Sequence, residues 1–317
     1  MGAAMRRPPA STAILAALTV VATACASVPS QGAAPNDQST SGAEPSSAPV
    51  AEDPVVVAAG DIACPDTHPA FNGGEGTATQ CRHRHTSELI TGADRVFVLG
   101  NAQYPTGSRS QYRAVYEPTW GRQKAITEPT PGEHDYSRGD ASGYLEYFGV
   151  AEYHSFDLGS WHWVSLNSEI PHGADSPQLQ WLQEDLARTS QPCIGAFWSD
   201  SAFSSGPDGS DPDLRPLWDA LYAVGADVVL SAESRHYERF AKQAPDGTAA
   251  DDGVRQFVVG TGGFGLTEIG PPQPNSEVRA SVFGVLQLRL GAADYSWQFL
   301  TEPGGTFSDT GSTACNP

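Results

Sequence analysis

Four short apolar runs in this chain each stop abruptly in a polar motif, and that pattern limits the fold more than any other feature. Val55–Ala59 runs into Gly60 and Asp61, and residues 96–99 run into Gly100, Asn101, Ala102, Gln103 and Tyr104. Residues 194–198 run into Ser199 and Asp200, and residues 228–230 into Ser231, Ala232, Glu233, Ser234, Arg235 and His236. Continuous apolar runs of this length are the mark of strands buried on both faces. In sheets of that kind, ligands gather at the carboxyl ends of the strands, where loops leave the scaffold. Four such ends carrying polar motifs predict one shared site.

The rest of the chain supplies helices and more strands. Helices are expected over 79–90, 110–120, Ser142–Phe148 and 214–224, with another starting at Ser176 and Pro177 and placing Leu179, Leu182 and Leu186 on one face. Further strands are expected over 153–158, 161–166, 256–259, Gly284–Leu290 and 295–300. The mixture predicts a pair of sheets covered by helices in one domain, without internal repeats. Residues 260–265 match GxGxxG, but Pro271 and Pro272 follow where a dinucleotide fold needs a helix, so a strand-end turn is expected. Arg82, His83, Arg84 and His85 read as a solvated basic patch, and His162 as a strand residue with a satisfied hydrogen bond.

A formal charge of -19 over 317 residues excludes nucleic acid as a partner, because polyanions are repelled. At the amino end, Arg6 and Arg7 precede an apolar stretch over 10–24 and then Cys25, a pattern of export. Residues 1–25 are read as a lipoprotein-type signal with Cys25 as the lipidated residue, the alternative being simple secretion. Residues 26–52 hold too little apolar material to fold and read as a tether. The folded domain is then 53–317, extracytoplasmic and anchored to a membrane through lipid. Cys64, Cys81, Cys193 and Cys315 remain, and an even number in an exported chain predicts two disulfides. Three pairings exist; Cys64 with Cys81 and Cys193 with Cys315 are favoured over a metal-thiolate site, for which no Cys-x-x-Cys spacing is present.

Taken together the motifs resemble the calcineurin-like metallophosphoesterase superfamily, and within it the purple-acid-phosphatase-like bacterial branch. Residues 116–121, 153–159, 237–240 and 258–263 read like that branch as well. The resemblance implies an α/β (α+β) four-layer sandwich of two mixed sheets flanked by helices. It also implies two metal ions that share a bridging carboxylate and polarise a phosphoryl group. Asp61 stands at a first-metal carboxylate, but the bridging aspartate is Asn101, while Tyr104 is retained. The third motif reads Gly132, Glu133, His134, Asp135, so the metal-binding Asn is Glu133, with the leaving-group acid His134 and its neighbour Asp135 kept. Ser199 replaces a histidine, and Glu233 and Arg235 replace the two histidines of GHxH. A guanidinium has no lone pair to donate and stays protonated, so it takes the place of a cation without binding one.

These exchanges predict an ion pair between Arg235 and Asp61 in place of the first metal, and no transition metal. Clustered carboxylates then either shift their pKa upward or find a cation. An oxygen set of Asn101, Glu133, Ser199 and Glu233 would suit one Ca2+ or Mg2+. The leading expectation is a catalytically impaired homologue with a binding or cell-envelope role. Its rivals are an active phosphomonoesterase or phosphodiesterase with a mononuclear oxygen-ligand site and His134 as general acid, and a module holding a phosphate-bearing small molecule through Arg235 and His134.

Overall fold

Val55–Ala59 (β1) and Arg95–Leu99 (β2) are apolar along their length because both faces of each strand are covered. They pair in parallel, Val57 opposite Val96, and Thr127–Thr130 (β3) continues the parallel set. A computed structural model of the chain describes residues 52–317. The signal over 1–25, with Cys25, and the tether up to residue 51 lie outside the described residues.

A second sheet is built from His154–Leu158 (β4), Trp161–Ser165 (β5), Cys193–Phe197 (β6), Val228–Ser231 (β7), Tyr237–Phe240 (β8), Arg255–Val259 (β9) and Ser276–Ala280 (β10). Its order is β10-β8-β9-β7-β6-β5-β4, with β5, β6, β7 and β9 parallel and β4 antiparallel at one edge. Gly284–Leu290 (β11), Asp294–Thr301 (β12) and Thr310–Ala314 (β13) return to the first sheet, whose order is β13-β12-β11-β1-β2-β3. Both sheets are mixed, and helices flank them, as expected.

The helices are His83–Ser87 (α1), Arg109–Gln111 (α2), Glu133–Tyr136 (α3), Ser142–Phe148 (α4), Pro177–Leu186 (α5) and Arg215–Ala223 (α6). Between the sheets, Phe97 stacks on Phe197 with ring centroids 4.7 Å apart and meets Trp163 edge-on at 4.8 Å. A second core lies under α5 and α6, where Leu179, Leu182, Leu186, Leu217, Trp218 and Leu221 cover Val164, Ala196 and Val229. Ser176 starts α5 as read from the sequence, its Oγ accepting from Leu179 N at 3.1 Å ahead of Pro177.

The helix expected over 79–90 shrinks to α1. Cys81 N donates to Phe264 O at 3.0 Å, Gln80 bridges to Gly265, and Cys81 adopts a φ of 61°, so long-range pairing overrides local helix formation. The helix expected over 110–120 becomes α2 followed by a π turn, in which Glu117 N donates to Tyr112 O at 2.8 Å. Strands β3, β8, β10 and β13 were not expected. The basic patch also needs correction: His83 is 1% exposed, stacked on Phe71 at 5.8 Å, and burial pushes its imidazole down to about 4. His162 does have its hydrogen bonds, to Asp157 Oδ1 at 2.8 Å and Asp185 Oδ2 at 2.9 Å.

Both favoured disulfides form, Cys64 to Cys81 and Cys193 to Cys315, and they fit an oxidising, extracytoplasmic environment. Among the described residues no helix is long and apolar enough to cross a membrane. Beside the second bridge, Asn316 donates to Asp227 Oδ1 and Ala226 O, pinning the carboxyl end to β6 and β7. Because Cys193 and Cys315 are 122 residues apart, their link constrains much of the unfolded chain. Cys193→Ser with Cys315→Ser is expected to cost about 2–4 kcal/mol in urea unfolding. An unchanged midpoint would show that the tail is held by its hydrogen bonds alone.

Candidate functional site

The strand ends of the two sheets converge. Asp61 follows β1, Asn101 and Tyr104 follow β2, Glu133 and His134 follow β3, Ser199 and Asp200 follow β6, and Glu233 and Arg235 follow β7. Two further ends join them, the 167–169 segment after β5 and the 260–264 segment after β9. Gly100 turns β2 into the site with a φ of +83°, and a Cβ on Gly132 would meet Asn101 Oδ1 and Ser199 Oγ at 2.7 Å each. Asp61, Asn101, Ser234 and Arg235 all hold left-handed backbone, with φ of 54°, 45°, 83° and 50°. Such conformations cost on the order of 1–3 kcal/mol each for ordinary side chains and cluster where surrounding structure enforces them.

Asn101 ties the centre together. Its Nδ2 donates to Asp61 Oδ1 at 3.3 Å and to Glu233 Oε2 at 3.2 Å, while its Oδ1 accepts from His134 N at 2.9 Å. Tyr104 donates its hydroxyl to Asp61 Oδ1 as well. Asp61 Oδ2 and Ser199 Oγ are buried without a hydrogen-bond partner. His134 Nδ1–H donates to Pro105 O at 2.9 Å. Asp135 turns away into structure, accepting from Tyr112 Oη at 2.6 Å and from Gly132 N at 3.1 Å.

The carboxylates press on one another. Burial pushes Asp61 up to about 7, against the opposing pull of the Tyr104 hydrogen bond and the Arg235 charge. Burial, then Asp61, Asp200, Asp208 and Glu133, push Glu233 up to about 9. Glu169 rises to about 8 through burial and then Asp200, Glu133 and Asp135, and burial also raises Asp200. Upward shifts are one of the two outcomes open to clustered carboxylates.

No family model matches the chain. Purple acid phosphatase 22 of Arabidopsis thaliana is 26% identical over 225 residues, which are 59% of this chain and 51% of that protein. The solved purple acid phosphatase PPD1 from yellow lupin (Lupinus luteus) seeds superposes with a TM-score of 0.69 at 17% identity, covering 82% of this chain and 53% of the lupin chain. This chain is related to the calcineurin-like metallophosphoesterases. It spans about half the length of the curated relative it matches. The metallophosphoesterase-like fold is also that of GAP50, the anchor in the inner membrane complex of Plasmodium, at a TM-score of 0.65 and 12% identity over 84% of this chain and 90% of that one.

Of the residues singled out in the sequence, Asp61, Asn101, Tyr104 and Glu233 are directly linked by hydrogen bonds. Ser199 lies against the Asn101 and Gly132 loops, Glu133 is exposed, and His134 packs its ring 4.2 Å from Tyr104. The expected Arg235–Asp61 ion pair does not form. Phe264 lies flat on Tyr104 at 3.5 Å, and the Arg235 guanidinium sits over its ring at 5.7 Å. Arg235 therefore acts on Asp61 through its field, without a contact.

Phe264, Glu169 and Asp208 were missed in the sequence. Phe264 and Glu169 follow β9 and β5, so the strand-end rule that found the others would have found them; Asp208 is placed by Ser234 Oγ, 2.9 Å from its Oδ2, which no local signal announces.

Among the described residues, two groups of His, Cys, Asp or Glu place three donor atoms within 4.8 Å of one another: Cys64, His68 and Cys81, and Cys193, Asp227 and Cys315. Both are built on disulfide sulfurs, and neither includes a residue of this site.

The raised Glu169 carboxyl gives the domain a pH signature. Its folded value, about 8, lies above the ordinary 4.5, so the stability it contributes is present below pH 4.5 and is lost as pH rises through 8. Glu169→Gln is expected to raise the melting temperature at pH 9 by about 2–4 °C, the shift that ~1 kcal/mol gives in a large domain, with no gain at pH 4. Equal gains at both pH values would point to packing instead.

Proposed function

We propose that this chain keeps the metallophosphoesterase fold and its strand-end site as a binding module, without a dinuclear transition-metal centre and without phosphoester hydrolysis. The Asn101 amide carries the reading: it lies between Asp61 and Glu233 and donates to both, meeting with N–H groups the two carboxylates that a bridging ligand would have to join to metal. The donor set offers no imidazole beside Asp61, and Arg235 adds a fixed positive charge, so these residues do not fit two transition ions. The Asn101, Glu133, Ser199 and Glu233 oxygens suit at most a hard cation such as Ca2+ or Mg2+. The module works outside the cytoplasm, held to a membrane through Cys25 and the tether, and its role is at the cell envelope. GAP50, named as an anchor, gives this fold a precedent for a role other than hydrolysis.

A second reading has one specific observation in its favour. With Nδ1 bound to Pro105 O, His134 is oriented to act as a general acid, and a hydrolase using one oxygen-bound Ca2+ or Mg2+ would need such a group.

The test is metal content of the purified protein after exposure to Mn2+, Zn2+, Fe3+ and Ca2+, with hydrolysis of an aryl phosphate followed in the same samples. Substoichiometric transition metal and no turnover above buffer are expected. Stoichiometric Mn2+, Zn2+ or Fe3+ with turnover would overturn the reading, and turnover with Ca2+ alone would select the mononuclear hydrolase.

A further inference from the structure

The acidic side chains of the site extend well beyond the positions that match metal ligands. Glu233 has Asp61, Asp200, Asp208 and Glu133 as acidic neighbours, and Glu169 has Asp200, Glu133 and Asp135. The carboxylates thus form a connected series from Asp61 through Glu233 and Asp200 to Glu169, graded from a buried floor to an exposed rim at Glu133 and Asp208. Against them stand Arg235, engaged on Phe264, and the imidazoles of His134 and His172. A phosphate ester entering this site would meet acidic side chains that outnumber the basic ones.

A second observation, independent of the acidic residues, marks the floor as a binding surface. Ser199 is 1% exposed and its Oγ has no partner. Its Oγ lies against Gly100 and Gly132, the residue is followed by Asp200, and its carbonyl accepts from Glu233 N at 3.0 Å. The hydroxyl therefore points between the loops that carry Glu133, Asn101 and Glu233. A buried hydroxyl left without a partner loses on the order of a hydrogen bond, which a ligand's N–H donor would restore. Asp61 Oδ2, equally buried and unpartnered, offers an acceptor on the same floor.

The spacing of the carboxylates separates a compact ion from an extended one. Among the described residues no three carboxylate or imidazole donors of the site come within 4.8 Å of one another. Three carboxylate or imidazole donors of the site would have to move together to hold one metal ion, because its ligands sit at roughly 2–2.6 Å. A chain carrying several ammonium groups can meet them one after another, each N–H donor facing its own carboxylate.

We propose that the strand-end site binds an extended organic polycation, of the linear di- or polyamine class, with Ser199 and Asp61 receiving its buried end and Asp200, Glu233 and Glu169 receiving the rest. The assignment rests on the reading of a site without a dinuclear centre, since two metal ions would occupy the same carboxylates.

Isothermal titration of the full-length, disulfide-intact protein with spermidine, at physiological ionic strength in EDTA, tests it. Saturable binding at one equivalent is expected, weakened about tenfold or more by Glu169→Gln with Asp200→Asn. Asp251→Asn with Asp252→Asn, an exposed acidic pair elsewhere, is expected to leave it unchanged. Ser199→Ala, which adds no charge change, is expected to weaken binding in a folded protein if the double variant does not fold. Absence of saturable heat, or equal loss in both double variants, would reduce the effect to diffuse attraction by an acidic surface and overturn the proposal. Tighter binding of Ca2+ or of inorganic phosphate than of spermidine, titrated without EDTA, would overturn it too. EDTA keeps these outcomes apart from the reading they rest on, which falls only if metal loading restores turnover.

Discussion

The Asn101 amide is the contact on which the rest of the site depends. Two carboxylates, Asp61 and Glu233, face each other in a buried setting where bare repulsion would force protonation or uptake of a cation. A neutral side chain with two N–H donors meets both at once and turns its oxygen to the His134 backbone. An aspartate there would add a third negative group to the same cluster. The amide instead meets both carboxyl groups with hydrogen bonds.

The scaffold around Asn101 is held by the ends of the strands. Left-handed backbone persists at Asp61, Asn101, Ser234 and Arg235, and is enforced by the sheet ends rather than by local preference. Below Arg235, the fully buried His236 and Glu238 are joined at 3.0 Å, and Glu238 also accepts from Ser205 N and Oγ. These bonds hold the 231–238 turn whichever side chains it displays. Phe264, stacked on Tyr104 and covered by Arg235, fills part of the mouth with aromatic surface. The strand ends of both sheets thus converge on one acidic, aromatic-lined site.

Much of this was legible in the sequence. The doubly buried strands announced themselves through Val55–Ala59 and the runs ending at Leu99 and Leu230, and helix α5 through Ser176, Pro177 and its leucine face. Strands β10 and β13 were not legible, because SEVRA and TGSTA are polar edge strands, held by pairing to β8 and β12 rather than by their own apolar pattern. The helix over 79–90 failed because Cys81 is committed to a disulfide and to Phe264, contacts far away in the chain. At the site, residue identity predicted the crowding of carboxyl groups, but not the side-chain partners. Arg235 could reach Asp61 on paper; its guanidinium lies instead over Phe264, a ring distant in sequence.

Anomalous X-ray diffraction from crystals soaked in Mn2+ and Zn2+ would test the charge balance at Asn101 most directly. The account predicts no anomalous peak beside Asp61, the Asn101 amide bridging Asp61 and Glu233, and the Arg235 guanidinium over Phe264. Two peaks sharing Asn101 as a ligand, with Arg235 displaced from the ring, would contradict it.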